Sequence, residues 1–234
     1  SLPFAHYLAM VRGGWRSLLN DPQVRWFLIL AVGLVLLLIW HLMQTGLGFG
    51  EAVRQASFNG VSIMTGTGYV SANFSAWGGF ATTILLIVMF IGGCGGSTTC
   101  GIKVFRLQVL ASTAKVQISR LLRPHAVVLA YYNKRPVSVE VMDSVMGFFY
   151  LFILGFVLIA IMLGMAGLDF VTALSGAATS ISNVGPGLGE VIGADGNFST
   201  LPDSAKWIMS FAMLLGRLEI FTVLVMLSPA FWQR

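Results

Sequence analysis

Apolar residues run almost without interruption from Trp26 to Met43 (WFLILAVGLVLLLIWHLM), with no polar face at helical spacing. A bilayer core takes roughly 20 such residues in a helix, so this stretch predicts a membrane span. Gly79 to Gly93 begins a second span, which the run GGCGGSTTCG at Gly92 to Gly101 interrupts before helical character resumes over Ile102 to Leu122. Val145 to Leu168 predicts a third span and Trp207 to Phe231 a fourth.

Two apolar segments are too short to cross. Glu51 to Met64 (EAVRQASFNGVSIM) and Phe170 to Ser182 (FVTALSGAATSIS) have the length of re-entrant helices. Each follows a full span, runs into a glycine turn (TGTGY at Thr65 to Tyr69, NVGPG at Asn183 to Gly187) and precedes another long apolar helix. Setting Gly68 over Gly185 also sets Ala56 over Ala173 and Ser62 over Thr179. The order helix, short helix, glycine turn, helix therefore occurs twice, as an internal repeat. The expected fold is an all-α integral membrane protein of two tandem repeats, residues 26–122 and 144–234. A cytoplasmic lead-in (1–25) and a cytoplasmic linker (123–143) complete it.

Composition supports a lipid-embedded chain. Hydrophobic residues make up 56% and charged residues 10%, where a soluble domain carries about 25% charge. The net charge of +5 reads as loop bias rather than nucleic-acid binding. With the first span starting inside, Arg12, Arg16, Arg25, Lys103, Arg106, Lys115, Arg120, Arg123, Lys134, Arg135 and Arg234 are cytoplasmic. Arg54 and Lys206 fall near the outer face, beside Glu51, Asp169, Glu190, Asp195 and Asp203. That Lys/Arg asymmetry sets the orientation. The two cysteines, Cys94 and Cys100, fit neither a zinc spacing nor a disulfide framework. Residues 1–20 lack the apolar core of a signal peptide, and the chain opens on Ser1, so a piece of a longer polypeptide is expected.

Non-helical backbone is tolerated at membrane depth where it lines a watery path or is buried in protein. A short helix ending in a glycine turn meets that condition if its carbonyls face an ion. Backbone oxygens replace the hydration shell of K⁺ without adding charge, glycine permits the required geometry, and the helix C-terminus favours a cation. The candidate filter residues are Gly66, Thr67, Gly68 and Tyr69 in the first turn and Asn183, Val184, Gly185 and Pro186 in the second. The competing reading is two ordinary surface turns.

The stretches SIMTGTGYVSANFSAWG (Ser62 to Gly78), GGCGGSTTCGIKVFR (Gly92 to Arg106), SNVGPGLG (Ser182 to Gly189) and GRLEIFT (Gly216 to Thr222) resemble the TrkH/TrkG/KtrB superfamily of potassium transporters, its TrkH members most of all. The resemblance covers nearly the whole chain. It implies a K⁺-channel-like fold in which one polypeptide carries four repeats around a pore, and this chain matches the third and fourth. It makes Gly68 and Gly185 the central filter glycines, with K⁺ held by the carbonyls of Thr67, Gly68, Val184 and Gly185. Two turns cannot surround an ion, so a missing N-terminal half with two further repeats is implied. So are a homodimer of complete subunits, a cytoplasmic TrkA-type nucleotide-binding regulator and the bacterial inner membrane.

Gly92, Gly93, Gly95, Gly96 and Gly101 should break their helix, since each costs about 1 kcal/mol relative to alanine. A kink or close packing would account for them. The resemblance implies instead a gating loop beneath the filter, lined by the hydroxyls of Ser97, Thr98 and Thr99. Cys100 stands where the family pattern has glycine. Arg217, inside the last span, is expensive there; it either snorkels or pairs with the missing half, or, as the resemblance implies, faces the pore and hydrogen-bonds loop carbonyls when the gate is closed. Glu219, two residues on, is poorly placed to partner it. His41 and Glu51 read as interfacial, and His6 and His125 as isolated cytoplasmic residues. GGSTTCGIK and GPGLGE lack the spacing of nucleotide-binding loops.

The main alternative is a coupled secondary cation transporter with broken helices, which calls for inverted repeats, whereas both short helices here enter from the same side. The other is a non-conducting assembly subunit. An enzyme is not expected: no nucleophile–base or metal constellation is visible, and no cofactor is implied beyond K⁺ as cargo.

Overall fold

A computed structural model describes residues 1–11, 18, 20–123, 128–133, 135–218, 220–227 and 229–232. Arg12, Arg16, His125, Lys134, Glu219 and Arg234 lie outside these residues, so the readings attached to them do too.

After a short helix α1 (Phe4–Val11), the chain enters α2 (Pro22–Gln44). Pro22 opens it and the Asp21 side chain caps it, accepting the Gln23 N–H; both choices suit a helix start. α3 (Phe49–Met64) ends at the first glycine turn, and α4 (Gly79–Met89) and α5 (Val104–Leu122) flank the glycine-rich loop. A two-residue antiparallel hairpin follows, with Tyr131 opposite Pro136 and Tyr132 opposite Arg135. Then come α6 (Val139–Met165), α7 (Phe170–Ser182) into the second glycine turn, and α8 (Gly189–Ile192). α9 (Asp203–Arg217), α10 (Ile220–Leu227) and α11 (Pro229–Trp232) close the chain.

α2 and α6, with 23 and 27 residues, are long and apolar enough to cross a membrane, with mean hydropathies of 2.5 and 2.7. Only 22% of each apolar window is buried. In a soluble protein such helices would be core; here Leu36, Trp40, Leu158 and Ile161 face outward, the signature of side chains meant for lipid.

Two departures from the sequence expectation stand out. The third span begins at Val139, six residues before the apolar run, because Ser138 caps it and Glu140 favours its first turn. The fourth expected span, Trp207 to Phe231, is not continuous: α9 stops at Arg217 and the chain bends at Leu218. Gly216 weakens the helix just before the bend.

Packing centres on two apolar clusters. One gathers α2, α3 and α4 around Leu38, Leu42, Ile63, Phe74 and Leu85. The other gathers α6, α7 and α9 around Phe152, Ile159, Leu163, Ile181 and Met209. Phe90 joins them edge-on, 6.1 Å from Phe152 and 4.9 Å from Phe156 by ring centroids, a favoured aromatic arrangement. The join sits at the root of the glycine loop.

Candidate functional site

The two glycine turns carry the same backbone. Gly66 and Asn183, which correspond under the Gly68–Gly185 alignment, are both left-handed, at φ 65° and 52°. Gly68 and Gly185 also have positive φ, 77° and 120°, a region open to glycine and tolerated by asparagine. Thr67 N–H donates to the Ser62 carbonyl and Val184 N–H to the Thr179 carbonyl, each at 3.0 Å. A hydroxyl on the same short helix braces each turn: Ser62 Oγ donates to the Tyr69 carbonyl at 2.6 Å, and Thr179 Oγ1 accepts the Gly185 N–H at 3.0 Å. These residues appeared in the sequence only as repeat register. Their bracing role follows from a hydroxyl placed one turn and a half before a glycine.

This arrangement commits N–H groups and leaves carbonyls. Among the described residues, no hydrogen bond is accepted by the carbonyls of Thr67, Gly68, Val184 or Gly185. The turns also meet. A Cβ added to Gly68 would lie 2.4 Å from the Val184 oxygen, and one on Gly185 would lie 3.4 Å from Gly68 Cα. Side chains at these positions would hold the two backbones apart.

Further braces fix the surroundings. Fully buried Asn59 holds Ser71, donating to its Oγ at 3.1 Å and accepting its N–H at 3.0 Å. Asn183 Nδ2 donates to the Met213 carbonyl of α9 at 3.0 Å. Outside the turns, Asn73 donates to Asp195 at 2.5 Å and Ser75 to the Gly189 carbonyl at 3.0 Å, tying the two following loops together. His41 Nε2 meets the Trp77 carbonyl at 2.8 Å, and Glu51 accepts from Gln55 at 2.9 Å on the surface.

Beneath the turns lies a cavity of about 500 Å³, lined by Thr65, Gly66, Thr67 and Asn183 above and by Thr98, Thr99, Cys100 and Arg217 below. Its lower wall is the loop between α4 and α5. A parallel bridge between Ile91 and Ile102 closes the neck of that loop, with Gly92 N–H donating to the Ile102 carbonyl and Ile102 N–H to the Phe90 carbonyl, both at 2.9 Å. Gly92 permits the closure, since a Cβ there would lie 2.2 Å from the Cys100 oxygen. Gly93 admits the Ser1 backbone in the same way, Gly95 lies beside Gln23, and Gly96 and Gly101 have positive φ.

Arg217 reaches the loop from the end of α9. Its Nη1 donates to the Thr98 carbonyl at 2.8 Å and contacts Cys100 Sγ at 3.5 Å. Thr98 and Thr99 border the cavity under the turns, and Thr99 Oγ1 donates to Ser1 Oγ at 2.9 Å. Ser97 does not border that cavity: its hydroxyl donates to the Cys94 carbonyl at 2.6 Å, and the residue lines a smaller cavity of about 190 Å³ that also reaches Arg217. Gly216 lets α9 approach, since a Cβ there would lie 1.9 Å from the Ile181 oxygen.

A helical chain with two outward-facing apolar helices long enough to cross a membrane and two alike glycine turns has the make-up of a membrane protein. It belongs to the TrkH family of cation transport proteins, whose family model matches residues 10–234. The chain is 45% identical over 235 residues to the Trk system potassium uptake protein TrkI of Halomonas elongata, covering 100% of this chain and 48% of that protein. It is 38% identical over 238 residues to TrkH of Vibrio parahaemolyticus, covering 97% and 47%. The crystal structure of the potassium transporter TrkH from Vibrio parahaemolyticus superposes with a TM-score of 0.90 at 36% identity, over 98% of this chain and 50% of that one. The chain thus spans about half the length of the relatives it matches.

Proposed function

We propose that this chain supplies two of four filter segments in a channel-like pore that takes up K⁺ across the bacterial inner membrane. Residues 26–122 and 144–234 are the third and fourth pore-loop repeats, with 1–25 and 123–143 on the cytoplasmic side. A partner half carrying two further repeats completes the ring. The observation that carries this reading is the pair of matching turns, which meet backbone to backbone while their carbonyls accept no protein hydrogen bond. K⁺ sheds its water onto such oxygens, here those of Thr67, Gly68, Val184 and Gly185, with Gly66, Tyr69, Asn183 and Pro186 holding the turns in shape.

The glycine loop is the gate. Its position under the turns puts Thr98 and Thr99 across the ion path, and the Arg217 bond to Thr98 holds it there. The guanidinium adds an electrostatic barrier to cations. A homodimer of complete subunits and a TrkA-type regulator on the cytoplasmic face fit the family.

The test is growth and cation uptake by a strain lacking potassium import. The complete assembly restores uptake at limiting K⁺, and a Gly185→Ser version loses discrimination between K⁺ and Na⁺. Undiminished discrimination in that variant would remove Gly185 from the filter.

A further inference from the structure

Arg217 grips the glycine loop from α9, and a second side chain grips it from α2. Gln23 Oε1 accepts the Gly95 N–H at 2.7 Å. Among the described residues, Gln23 and Arg217 are the two side chains from outside the loop that bond its backbone between Gly92 and Gly101. Gln23 is held in place by the start of α2, where its own N–H bonds Asp21 Oδ1 at 2.7 Å. Gly95 allows the contact: a Cβ there would sit 3.1 Å from Gln23 Oε1 and 3.4 Å from the Phe105 ring.

The segment that joins the two halves of the chain lies beside the same helix start. Tyr132 lines a cavity of about 330 Å³ together with Pro22, the first residue of α2, and Gln108 of α5. Its hairpin is seated on α5 through Ser112, whose Oγ donates to the Tyr131 carbonyl at 3.1 Å and accepts the Tyr131 N–H at 3.2 Å. Gln23 thereby links the α2 cap to the glycine loop, and the hairpin sits against the same end of α2.

We propose that Gln23 is a positioning residue that latches the glycine loop against α2, and that Tyr132 couples the hairpin between α5 and α6 to this latch. The proposal rests on the reading of the loop as a gate. Two side-chain bonds, Arg217 to Thr98 and Gln23 to Gly95, hold the loop across the pore, beside backbone bonds from Cys94 N–H to the Ser1 carbonyl at 2.8 Å and from Phe4 N–H to the Gly96 carbonyl at 3.2 Å. Movement of the hairpin away from α5 withdraws Tyr132 from the start of α2 and frees Gln23 to leave Gly95. A cytoplasmic protein that pulled on the hairpin would then open the pore without touching the filter.

The test uses the complete assembly in proteoliposomes and follows rubidium flux together with the alkylation rate of Cys100, resolved from Cys94 by peptide mass spectrometry. Gln23→Ala leaves a partly buried N–H without its partner, which shifts such an equilibrium by roughly fivefold or more. Basal flux and Cys100 alkylation should rise by that factor, with the rubidium-to-sodium ratio unchanged. Gln23→Glu keeps an acceptor oxygen and should restore parental behaviour, and Tyr132→Ala, which empties the contact with the start of α2, should give a smaller rise. If Gln23→Ala fails to reach the membrane, Gln23→Met keeps the volume without the acceptor and should act like it. Parental flux and labelling in the Gln23 variants, while Arg217→Ala still raises flux, would overturn the latch and leave the gate standing. Faster Cys100 labelling in Gln23→Ala with no change of flux in either variant would keep the latch and overturn the gate.

Discussion

The two glycine turns share a backbone and differ in what surrounds them. Of the thirteen residues of α7, ten are buried; of the sixteen of α3, seven are. The second turn is enclosed by α9, which accepts from Asn183 and packs Gly216 on the Ile181 carbonyl. The first leaves Tyr69 71% exposed and opens, with Phe58 and Val61, onto an apolar groove of about 520 Å³. The same chain path thus forms with a neighbour on one side and without one on the other. Local hydrogen bonds from Ser62 and Thr179 set the turn, and packing only encloses it. On the proposed four-repeat reading, the open groove beside α3 is where the partner half sits.

The largest effect on this contrast should come from Gly216→Ala. The added methyl meets a carbonyl rather than a side chain that can swing away, so α9 must back off the second turn. Overpacking of this kind costs about 1–3 kcal/mol, visible as a lower Tm and as lost transport. Gly50 of α3 has nothing within 4 Å of an added Cβ, and Gly50→Ala should leave Tm unchanged or slightly raised. Equal losses at both positions would mean that the enclosure of the second turn does not distinguish it.

A smaller effect concerns the helix starts. Asp169 caps α7, accepting the Thr172 N–H at 3.1 Å, whereas α3 starts at Gly48 with no side-chain cap. Hydrogen bonds from the Thr172 side chain and backbone hold the Asp169 carboxyl below its ordinary range. A group with a lowered folded-state pKa stabilises at pH above its unfolded value and stops doing so as pH falls through the lowered one. Asp169→Ala should therefore cost about 1 kcal/mol at neutral pH, and the difference should shrink on acidification below the carboxylate range. Gly48→Asp should stabilise α3 by only a few tenths of a kcal/mol, since glycine is itself a tolerated cap. Thermal melts across pH check both.

Much of this architecture was legible in the residue order. Long apolar runs predict α2 and α6 because the bilayer sets a minimum length, and the short helices betray themselves by falling below it. Clustered glycines predict the loop between α4 and α5 because they weaken a helix whatever lies around them. The break at Leu218 was hidden, since the run around Gly216 and Arg217 stays apolar enough to read as one span. The start of α6 was hidden as well, because hydropathy registers lipid contact and not capping by Ser138. In the site, glycines with positive φ stand out, while their braces do not: Asn59, Ser62 and Thr179 are ordinary polar residues until folding brings Ser71, Tyr69 and Gly185 to them. Gln23 is hidden for the same reason, since Gly95 lies 72 residues away along the chain.

The account stands on main-chain oxygens of Thr67, Gly68, Val184 and Gly185 ligating the permeating ion. The most direct measurement is anomalous diffraction from crystals of the complete assembly grown in thallium(I), a K⁺ mimic. The expected result is a peak between the two turns, at coordination distance from these carbonyls and lost when a larger, impermeant cation replaces thallium. Ions bound solely by side chains elsewhere, with nothing between Gly68 and Gly185, would contradict it.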